Sequence, residues 1–355
     1  MRTILHRSIF ALIAIISIVA FILIGSQNRV FSAQRTTHTA TGSSVVGLPG
    51  YDIKVFAQGT ASYFNPDSVE VVGKYVYIGY QNKTAKDGTD NNSSTVVQYT
   101  LQGTVVQTFS VRGHCDGLRF DPSTQLLWAT SNEDGNPRLV TIDPATGKIT
   151  SYTFPPTPHG GGYDDLAFVN GKAFIAASNP TLNSAGVNVF PAVDEITLNK
   201  GQAVLIPMLY GNATALDTTT NKQVTLNLTD PDSMTVDQQG DLVVDSQADA
   251  ELVFLHHPGT AQQTVTRVPL GTQVDDTLWI PVSKGHMLLV DGKQNTTYTV
   301  IIDQTNFTPG TVYTEAPSDS GVAAFVGIAN LTTGTITPVI IGLSSPTGLA
   351  FIPNE

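Results

Sequence analysis

Acidic side chains recur at one position of a repeated segment, and this spacing is the clearest chemical signal in the sequence. Each segment has a short polar or turn-forming start and an alternating apolar stretch. The six segments are PDSVEVV from Pro66, CDGLRFD from Cys115, YDDLAFV from Tyr163, PDSMTVD from Pro231, VDDTLWI from Val274 and PTGLAFI from Pro346. Their second residues are Asp67, Asp116, Asp164, Asp232, Asp275 and Thr347. Five of the six segments therefore begin with a carboxylate.

Polar residues also follow the second apolar stretch of each full unit. These residues are Asn82, Asn132, Asn179, Asp245 and Asp291. Antiparallel neighbouring strands begin and end on the same side of a sheet, so both sets should meet on one rim. Carboxylates that converge repel one another, and a bound cation would relieve that repulsion. Oxygen-only ligands suit a hard cation such as Ca²⁺ better than zinc, although another divalent cation stays open.

The predicted metal ligands are the five carboxylates and two of the amides. They are Asp67, Asp116, Asn132, Asp164, Asn179, Asp232 and Asp275. A structural alternative is equally compatible with the spacing. An Asp where a strand begins can accept hydrogen bonds from backbone N–H groups of its own loop or of the next repeat. The pattern alone does not separate these two roles.

Two histidines fall on the same predicted rim. His114 lies two residues before Asp116, and His159 begins the stretch HGGGYDD. A histidine beside carboxylates in a concave site can act as a general base, which makes both residues candidates for catalysis. Solvated loop histidines are the plainer interpretation. The sequence contains no G-x-S-x-G elbow, no H-E-x-x-H and no phosphate-binding loop.

The elements that would position these residues are short strands in a repeating unit. Four antiparallel strands in about 45 residues are typical of a β-propeller blade. We therefore predict an all-β fold, a β-propeller with six blades, while five or seven remain open. The early strand Tyr51–Gly59 and the last strand Pro346–Pro353 lack partners of their own. Pairing them in one blade would close the ring.

Four long connections are expected on the rim that carries the acids. They are Ala85–Ser94, Thr181–Phe190, Ala213–Leu228 and Thr305–Gly321. Enlarged loops on one rim usually mark a binding face. A small molecule or a protein is the expected partner there, and the propeller is expected to be a monomer.

The repeats resemble the blades of the NHL and senescence-marker-protein/gluconolactonase group of six-bladed propellers. PDSMTVDQQGDLVVDS from Pro231 and SSPTGLAFIP from Ser344 carry the resemblance, which covers about residues 50–355 as a blade pattern. It implies either a scaffold without catalysis or a calcium- or zinc-dependent lactonase with acid, Asn and Asp ligands. The enzymes begin their first inner strand with Glu-Gly, where this chain has Asn65-Pro66-Asp67-Ser68.

The first 35 residues indicate export. Arg2, His6 and Arg7 precede an unbroken apolar run over residues 9–25, which is typical of a signal peptide or a signal anchor. We expect a polar linker over 36–49 and one propeller domain over 50–355, secreted or tethered to the membrane only by the N-terminal segment. The net charge of -11 disfavours a nucleic-acid surface. The single Cys115 excludes an internal disulfide and is expected to be buried.

Two functions remain open from the sequence. The first is an exported scaffold that binds a ligand or a protein and holds a cation at its central funnel. The second is a metal-dependent hydrolase of lactones or esters. Propellers of this kind include both scaffolds and hydrolases, so only the residues of the site can distinguish the two functions.

Overall fold

β-Strands are the only regular elements in the part of the chain that a computed structural model describes, residues 45–302, 306–318 and 321–354. Short alternating segments joined by tight turns account for this. Most of the non-glycine residues with a positive φ are asparagines, including Asn82, Asn132 and Asn179 at the ends of strands. Asparagine tolerates the left-handed conformation that such turns require. The predicted N-terminal signal or anchor lies outside the described residues, among which no helix could cross a membrane.

The strands form six four-stranded antiparallel groups among the described residues, numbered I to VI here. Group I contains β3 (Pro66–Val72), β4 (Tyr75–Tyr80), β5 (Ser93–Thr100) and β6 (Val105–Arg112). Group II contains β7 (Cys115–Asp121), β8 (Leu126–Ser131), β9 (Arg138–Ile142) and β10 (Ile149–Thr153). Group III contains β11 (Tyr163–Val169), β12 (Lys172–Ala177), β13 (Pro191–Asn199) and β14 (Gln202–Tyr210). One parallel pair, Thr153 with Gln202, joins groups II and III at their outer strands.

Groups IV to VI carry additional strands or unusual connections. Group IV contains β17 (Pro231–Val236), β18 (Leu242–Ser246), β19 (Glu251–His256) and β20 (Thr264–Pro269). The hairpin of β15 (Thr214–Asp217) and β16 (Lys222–Thr225) extends its outer edge. Group V contains β21 (Thr277–Trp279), β24 (Val312–Ala316), β25 (Phe325–Asn330) and β26 (Thr335–Ile341). Group VI contains β27 (Pro346–Pro353), β22 (Gly285–Asp291), β23 (Thr296–Ile302) and β2 (Tyr51–Gln58).

Group VI joins the early and the late strands of the chain, as the sequence predicts. Strand β27 is at one edge, β2 is at the other, and β22 and β23 lie between them. The sequence interpretation was wrong about β22, which it assigned as the second strand after β21. The chain instead crosses from β21 into group VI, forms β22 and β23 there, and returns to group V at β24.

Two predicted loops and the predicted linker also contain strands. The connection over 305–321 includes β24, the true partner of β21, and the connection over 213–228 is mostly the β15–β16 hairpin. The β15–β16 hairpin lengthens the interval between Tyr163 and Pro231, and the strands β22 and β23 of group VI lengthen the interval between Val274 and Pro346. The predicted linker 36–49 ends in β1 (Val46–Gly47), which pairs with the free edge of β26. A two-residue strand leaves no periodic signal in a sequence.

Apolar side chains fill the space between neighbouring groups. Six buried clusters occur among the described residues, and each combines side chains from two groups: I with II, II with III, III with IV, IV with V, V with VI, and VI with I. Trp128 packs between groups II and III, and Trp279 packs between groups IV and V. Each sheet thus buries both faces against its neighbours. This all-β architecture is consistent with a β-propeller.

Candidate metal centre

The first strands of five groups bring their acidic residues to one cavity. The cavity has a volume of about 460 Å³, and Asp67, Asp116, Asp164, Asp232 and Asp275 all line it. Thr347 lines it from group VI, so every group contributes the second residue of its repeated segment. We call the five carboxylates the acidic ring. The repeat spacing predicts their convergence, while their role as metal ligands stays a prediction.

Further acids line the cavity that the sequence interpretation did not select. They are Glu133, Asp134, Asp165, Asp230 and Asp276. Glu133 follows Asn132 at the end of a second strand, and Asp230 precedes Pro231, so both could have been found by including neighbouring loop residues. The basic residues that line the cavity are Lys86, Arg119 and Lys293. Carboxylates therefore outnumber basic side chains by a wide margin.

The hydrogen-bond partners of the acidic ring are other side chains. Gln81 Nε2 donates to Asp116 Oδ1 at 3.1 Å, and Gln247 Nε2 donates to Asp275 Oδ2 at 3.1 Å. Asp164 lies within hydrogen-bonding reach of both Glu133 and Asp232. The structural alternative required backbone N–H donors, which these contacts do not provide. The ring carboxylates thus line the cavity and accept hydrogen bonds from side chains, and Asp275 also accepts from the hydroxyl of Ser233 at 3.2 Å.

Backbone anchoring belongs to the residues at the ends of the second strands. Asn82 Oδ1 accepts from Phe64 N at 3.1 Å, and Asn132 Oδ1 accepts from His114 N at 2.9 Å. Asn132 also donates from Nδ2 to the carbonyl of Asn136, so both ends of its amide are used within the turn. The structure thus places Asn132 beside the cavity rather than in its lining. Asn179, by contrast, lines the cavity.

An ion-pair network forms one side of the cavity. Arg119 Nη2 lies 2.5 Å from Asp165 Oδ2 and 3.5 Å from Asp276 Oδ1. Asp165 also accepts from the backbone N of Met234 at 3.0 Å, and Asp276 accepts from the backbone N of Leu349 at 2.9 Å. These bonds connect group III to group IV and group V to group VI. In these two repeats the residue after the ring acid, Asp165 or Asp276, therefore has the anchoring role that was proposed for the ring.

The two predicted catalytic histidines occupy different environments. His114 is buried, and its Nε2 lies 3.4 Å from Asp116 Oδ1. His159 is fully buried. Its Nε2 donates to the carbonyl of Gly162 in its own loop at 2.7 Å, and its ring packs on Tyr163. Neither His114 nor His159 is among the described residues that line the cavity, but His159, unlike His114, has no carboxylate partner among the described contacts of its ring. His159 therefore fits a structural role, and burial lowers its pKa. Cys115 is buried, as the sequence predicts.

Burial raises the pKa of every carboxyl group in the acidic ring well above its ordinary value of 3.8. Repulsion by neighbouring carboxylates adds to this effect, and for Asp67 the largest such repulsion comes from Asp275. Glu133 differs, because its ion pair with Lys86 outweighs the effect of burial and lowers its pKa. Burial also raises the pKa of Asp230 to about 6 and that of Glu70 to about 7.

The metal-free protein is expected to lose stability as the pH rises from about 4 to about 8. A carboxyl group with a raised pKa in the folded state contributes stability that is complete below its unfolded value, and this contribution disappears as the pH passes the folded value. Each group that stays protonated in the folded state while it is ionised in the unfolded state should reduce the free energy of unfolding by about 1.4 kcal/mol per unit of pH. Thermal melts in a chelating buffer across this range measure the effect.

Acids with lowered pKa values do not change the predicted loss of stability between about pH 4 and about pH 8. Asp217, whose pKa is lowered to about 2 by hydrogen bonds that outweigh burial, acts only below the ordinary value of 3.8. The ring variant Asp67→Asn should show a flatter pH profile than the wild type. A melting temperature that rises steadily towards pH 8 without metal would contradict the assignment of raised pKa values.

The composition of the cavity fits a bound divalent cation. Asp116 Oδ2 is buried and has no hydrogen-bond partner among the described residues, and the other ring carboxylates repel one another. Both features are unfavourable without a compensating positive charge. His114, Asp116 and Glu133 also offer ligand atoms that all lie within 4.8 Å of one another. The site can therefore hold a cation through several carboxylates from different groups.

Comparisons with known proteins give similarity at the level of structure alone. No protein-family model and no curated protein matches this sequence. Among solved structures, the chain is similar to a protein of unknown function from Bacteroides caccae, with 11% identity and a TM-score of 0.46 over 86% of this chain and 89% of that one. A provisionally assigned 6-phosphogluconolactonase from Bacteroides uniformis has 10% identity and a TM-score of 0.46 over 83% and 90%.

A provisionally assigned gluconolactonase has 11% identity and a TM-score of 0.45 over 85% of this chain and 86% of that one. At TM-scores of 0.45 and 0.46 these similarities carry no conclusion about the activity of this chain. The function has to be argued from its own residues.

Proposed function

We propose that this chain is an exported six-bladed β-propeller that binds a divalent cation, Ca²⁺ in the first instance, in its acidic cavity. The bound cation would serve a scaffold that takes up a small molecule or a partner protein at the loop-bearing rim. The observation that carries the proposal is the convergence of five carboxylates from five groups on one cavity. Carboxylate oxygens from several strands are the ligands that Ca²⁺ prefers.

The proposed blade number rests on the interfaces between groups. Six buried apolar clusters link the six groups in cyclic order, and the last of them joins group VI to group I. A closed ring accounts for this order, since an open arrangement would leave two sheet faces without a partner. Export rests on the basic and apolar pattern of residues 1–35, which would place the propeller on the extracytoplasmic side.

Calcium is expected to raise the melting temperature of the metal-free protein by about 5 °C or more. A ligand that binds only the folded state stabilises it by about 2.7 kcal/mol at one hundred times its dissociation constant. Such a change shifts the melting temperature of a domain of this size by several degrees. Chelator should reverse the shift, and differential scanning calorimetry at fixed pH measures it.

Variants of the cavity provide the controls for this experiment. The double variant Asp232→Asn, Asn179→Ala should fold but lose most of the calcium response, because both residues line the cavity. The matched control Asp52→Asn removes an exposed carboxylate on β2 and should respond like the wild type. A wild-type protein that responds to none of Ca²⁺, Mg²⁺, Mn²⁺ and Zn²⁺ would contradict the proposal.

A metal-dependent hydrolase of lactones or esters is the second candidate. The cavity volume of about 460 Å³ lies in the range of small-molecule sites, about 300–1,000 Å³. Asp230, with its pKa raised by burial to about 6, could exchange a proton near neutral pH, and Lys86 could orient an anionic group. Turnover of a panel of lactones and esters that depends on both metal and Asp230 would favour the enzyme over the scaffold.

A further inference from the structure

His114 has a ring nitrogen that its surroundings leave without a partner. Its Nδ1 lies 3.0 Å from the carbonyl oxygen of Thr84, which can only accept, so Nδ1 carries the proton and donates. Burial disfavours the charged imidazolium and lowers the pKa of His114. Nε2 therefore presents a lone pair, and it has no hydrogen bond among the described residues. The side chain is only 6% exposed, so water does not easily supply one.

The orientation of His114 is fixed from two sides. The Thr84 hydroxyl lies 2.8 Å from Nδ1 and donates to the carbonyl of Gln81, while Asn132 accepts from the backbone N of His114. Metal-binding histidines are commonly held in this way, with the second ring nitrogen bonded to a carbonyl. The same bond also selects the tautomer that leaves Nε2 free to bind a metal ion.

Two carboxylates face this nitrogen. Asp116 is 4% exposed, its Oδ1 lies 3.4 Å from His114 Nε2, and its Oδ2 has no hydrogen-bond partner among the described residues. Glu133 reaches the same place from the end of β8, where it also pairs with Lys86. Ligand atoms of these three residues all lie within 4.8 Å of one another. His114 Nε2 and Asp116 Oδ2 are thus two buried polar atoms without a hydrogen-bond partner among the described residues, and they belong to the same cluster of ligand residues.

We propose that His114, Asp116 and Glu133 form a subsite that binds a divalent first-row transition metal ion such as Zn²⁺, with Asp116 and Glu133 in the cavity lining and His114 buried outside that lining. One imidazole nitrogen and two carboxylates are ligands that Zn²⁺ binds well at about 2.0–2.2 Å. An imidazole ligand disfavours Ca²⁺, which takes oxygen ligands. Coordination of one ion by all three ligands, whose atoms lie within 4.8 Å of one another, would require their side chains to rotate.

This proposal rests on the proposed function in one respect: the subsite and the calcium site share Asp116 and the cavity. The calcium proposal is tested at Asp232 and Asn179, neither of which is in the subsite. The zinc proposal depends on His114, which is absent from the acidic ring. Variants at Asp232 and at His114 therefore test the two proposals separately.

The experiment measures the binding of ZnCl₂ and of CaCl₂ to the chelator-treated full chain by titration calorimetry. The variant His114→Asn retains a donor near Nδ1 for the Thr84 carbonyl but lacks Nε2. We expect it to lose at least about 100-fold in Zn²⁺ affinity while its Ca²⁺ response is retained. His159→Gln is the matched control, since it alters a buried histidine beyond the cavity lining and should bind both ions like the wild type.

Glu133→Gln is a second variant in case His114→Asn does not fold, and it should also weaken Zn²⁺ binding. Zinc binding by His114→Asn that equals the wild type would overturn the subsite. So would a wild-type protein that binds Ca²⁺ but not Zn²⁺, a result that leaves the proposed function intact. Zinc binding that depends on His114, in a protein indifferent to Ca²⁺, would support the subsite and overturn the calcium proposal.

Discussion

Removal of residues 346–355 is expected to abolish cooperative folding, the largest effect that the structure predicts. Strand β27 is the innermost strand of group VI and pairs with β22 along its whole length, for example Leu288 with Ala350. Its buried side chains belong to both neighbouring clusters, Leu349 and Phe351 to one and Ala350 and Ile352 to the other. Burial of an apolar side chain contributes about 1.5–3 kcal/mol. Their sum approaches the whole free energy of unfolding of a typical domain, about 5–15 kcal/mol.

Circular dichroism during denaturation and size-exclusion chromatography measure this effect. The matched control removes only residues 354–355, which follow β27, and should unfold almost like the full chain. Aggregation is a second expected outcome of the longer deletion, since the edge of β22 becomes available for pairing with another chain. A truncated protein that unfolds cooperatively at the wild-type temperature would contradict the closing role of group VI.

Arg119→Met is expected to destabilise the protein by about 3–5 kcal/mol, the second large effect. The guanidinium compensates the charges of the buried Asp165 and Asp276, and it also donates to the carbonyl of Met234. Methionine retains the volume of the side chain but leaves both carboxylates without their positive partner. Chemical denaturation at neutral pH, in the presence of chelator, measures the loss.

The triple variant Arg119→Met, Asp165→Asn, Asp276→Asn separates charge from packing. Asparagine can still accept from the backbone N of Met234 and of Leu349, so the bonds between groups are retained. Neutralising the network should recover much of the lost stability. If the triple variant were as unstable as the three single changes combined, the contribution of Arg119 would be packing instead of charge compensation.

The position of the acidic ring could be predicted because a repeat converts sequence spacing into spatial position. Asp67 and Asp232 occupy the same place in two repeated segments, so their strands bring them to the same cavity. The pattern does not show what a carboxylate bonds to, and the structural alternative therefore stayed open. In the structure, backbone anchoring is done by neighbours such as Asn132 and Asp165.

The assignment of β22 failed for a different physical reason. HMLLVD follows β21 at the usual distance and has the apolar pattern of any second strand, so nothing local indicates a different sheet. Its partner β27 lies more than 50 residues later, and pairing of this kind is decided by closure of the ring. Glu133 was missed because it lies in a loop, where strand periodicity gives no information.

The role of His114 is also decided by contacts that no sequence pattern contains. Its tautomer depends on the carbonyl of Thr84, a backbone atom that every residue type possesses. His159 also precedes a ring acid, by five residues where His114 precedes Asp116 by two, yet its imidazole bonds to its own loop. Two buried histidines that precede ring acids therefore differ in the hydrogen bonds of their ring nitrogens.

Anomalous X-ray diffraction from crystals grown with Mn²⁺ tests most directly whether the acidic cavity binds a divalent cation. Data recorded at the manganese absorption edge locate the ion without assumptions about its ligands. We predict a strong peak within bonding distance of carboxylate oxygens of the acidic ring or of the subsite at His114, and its loss in crystals grown with chelator. Anomalous peaks confined to the outer surface of the propeller, with none in the cavity, would contradict the account.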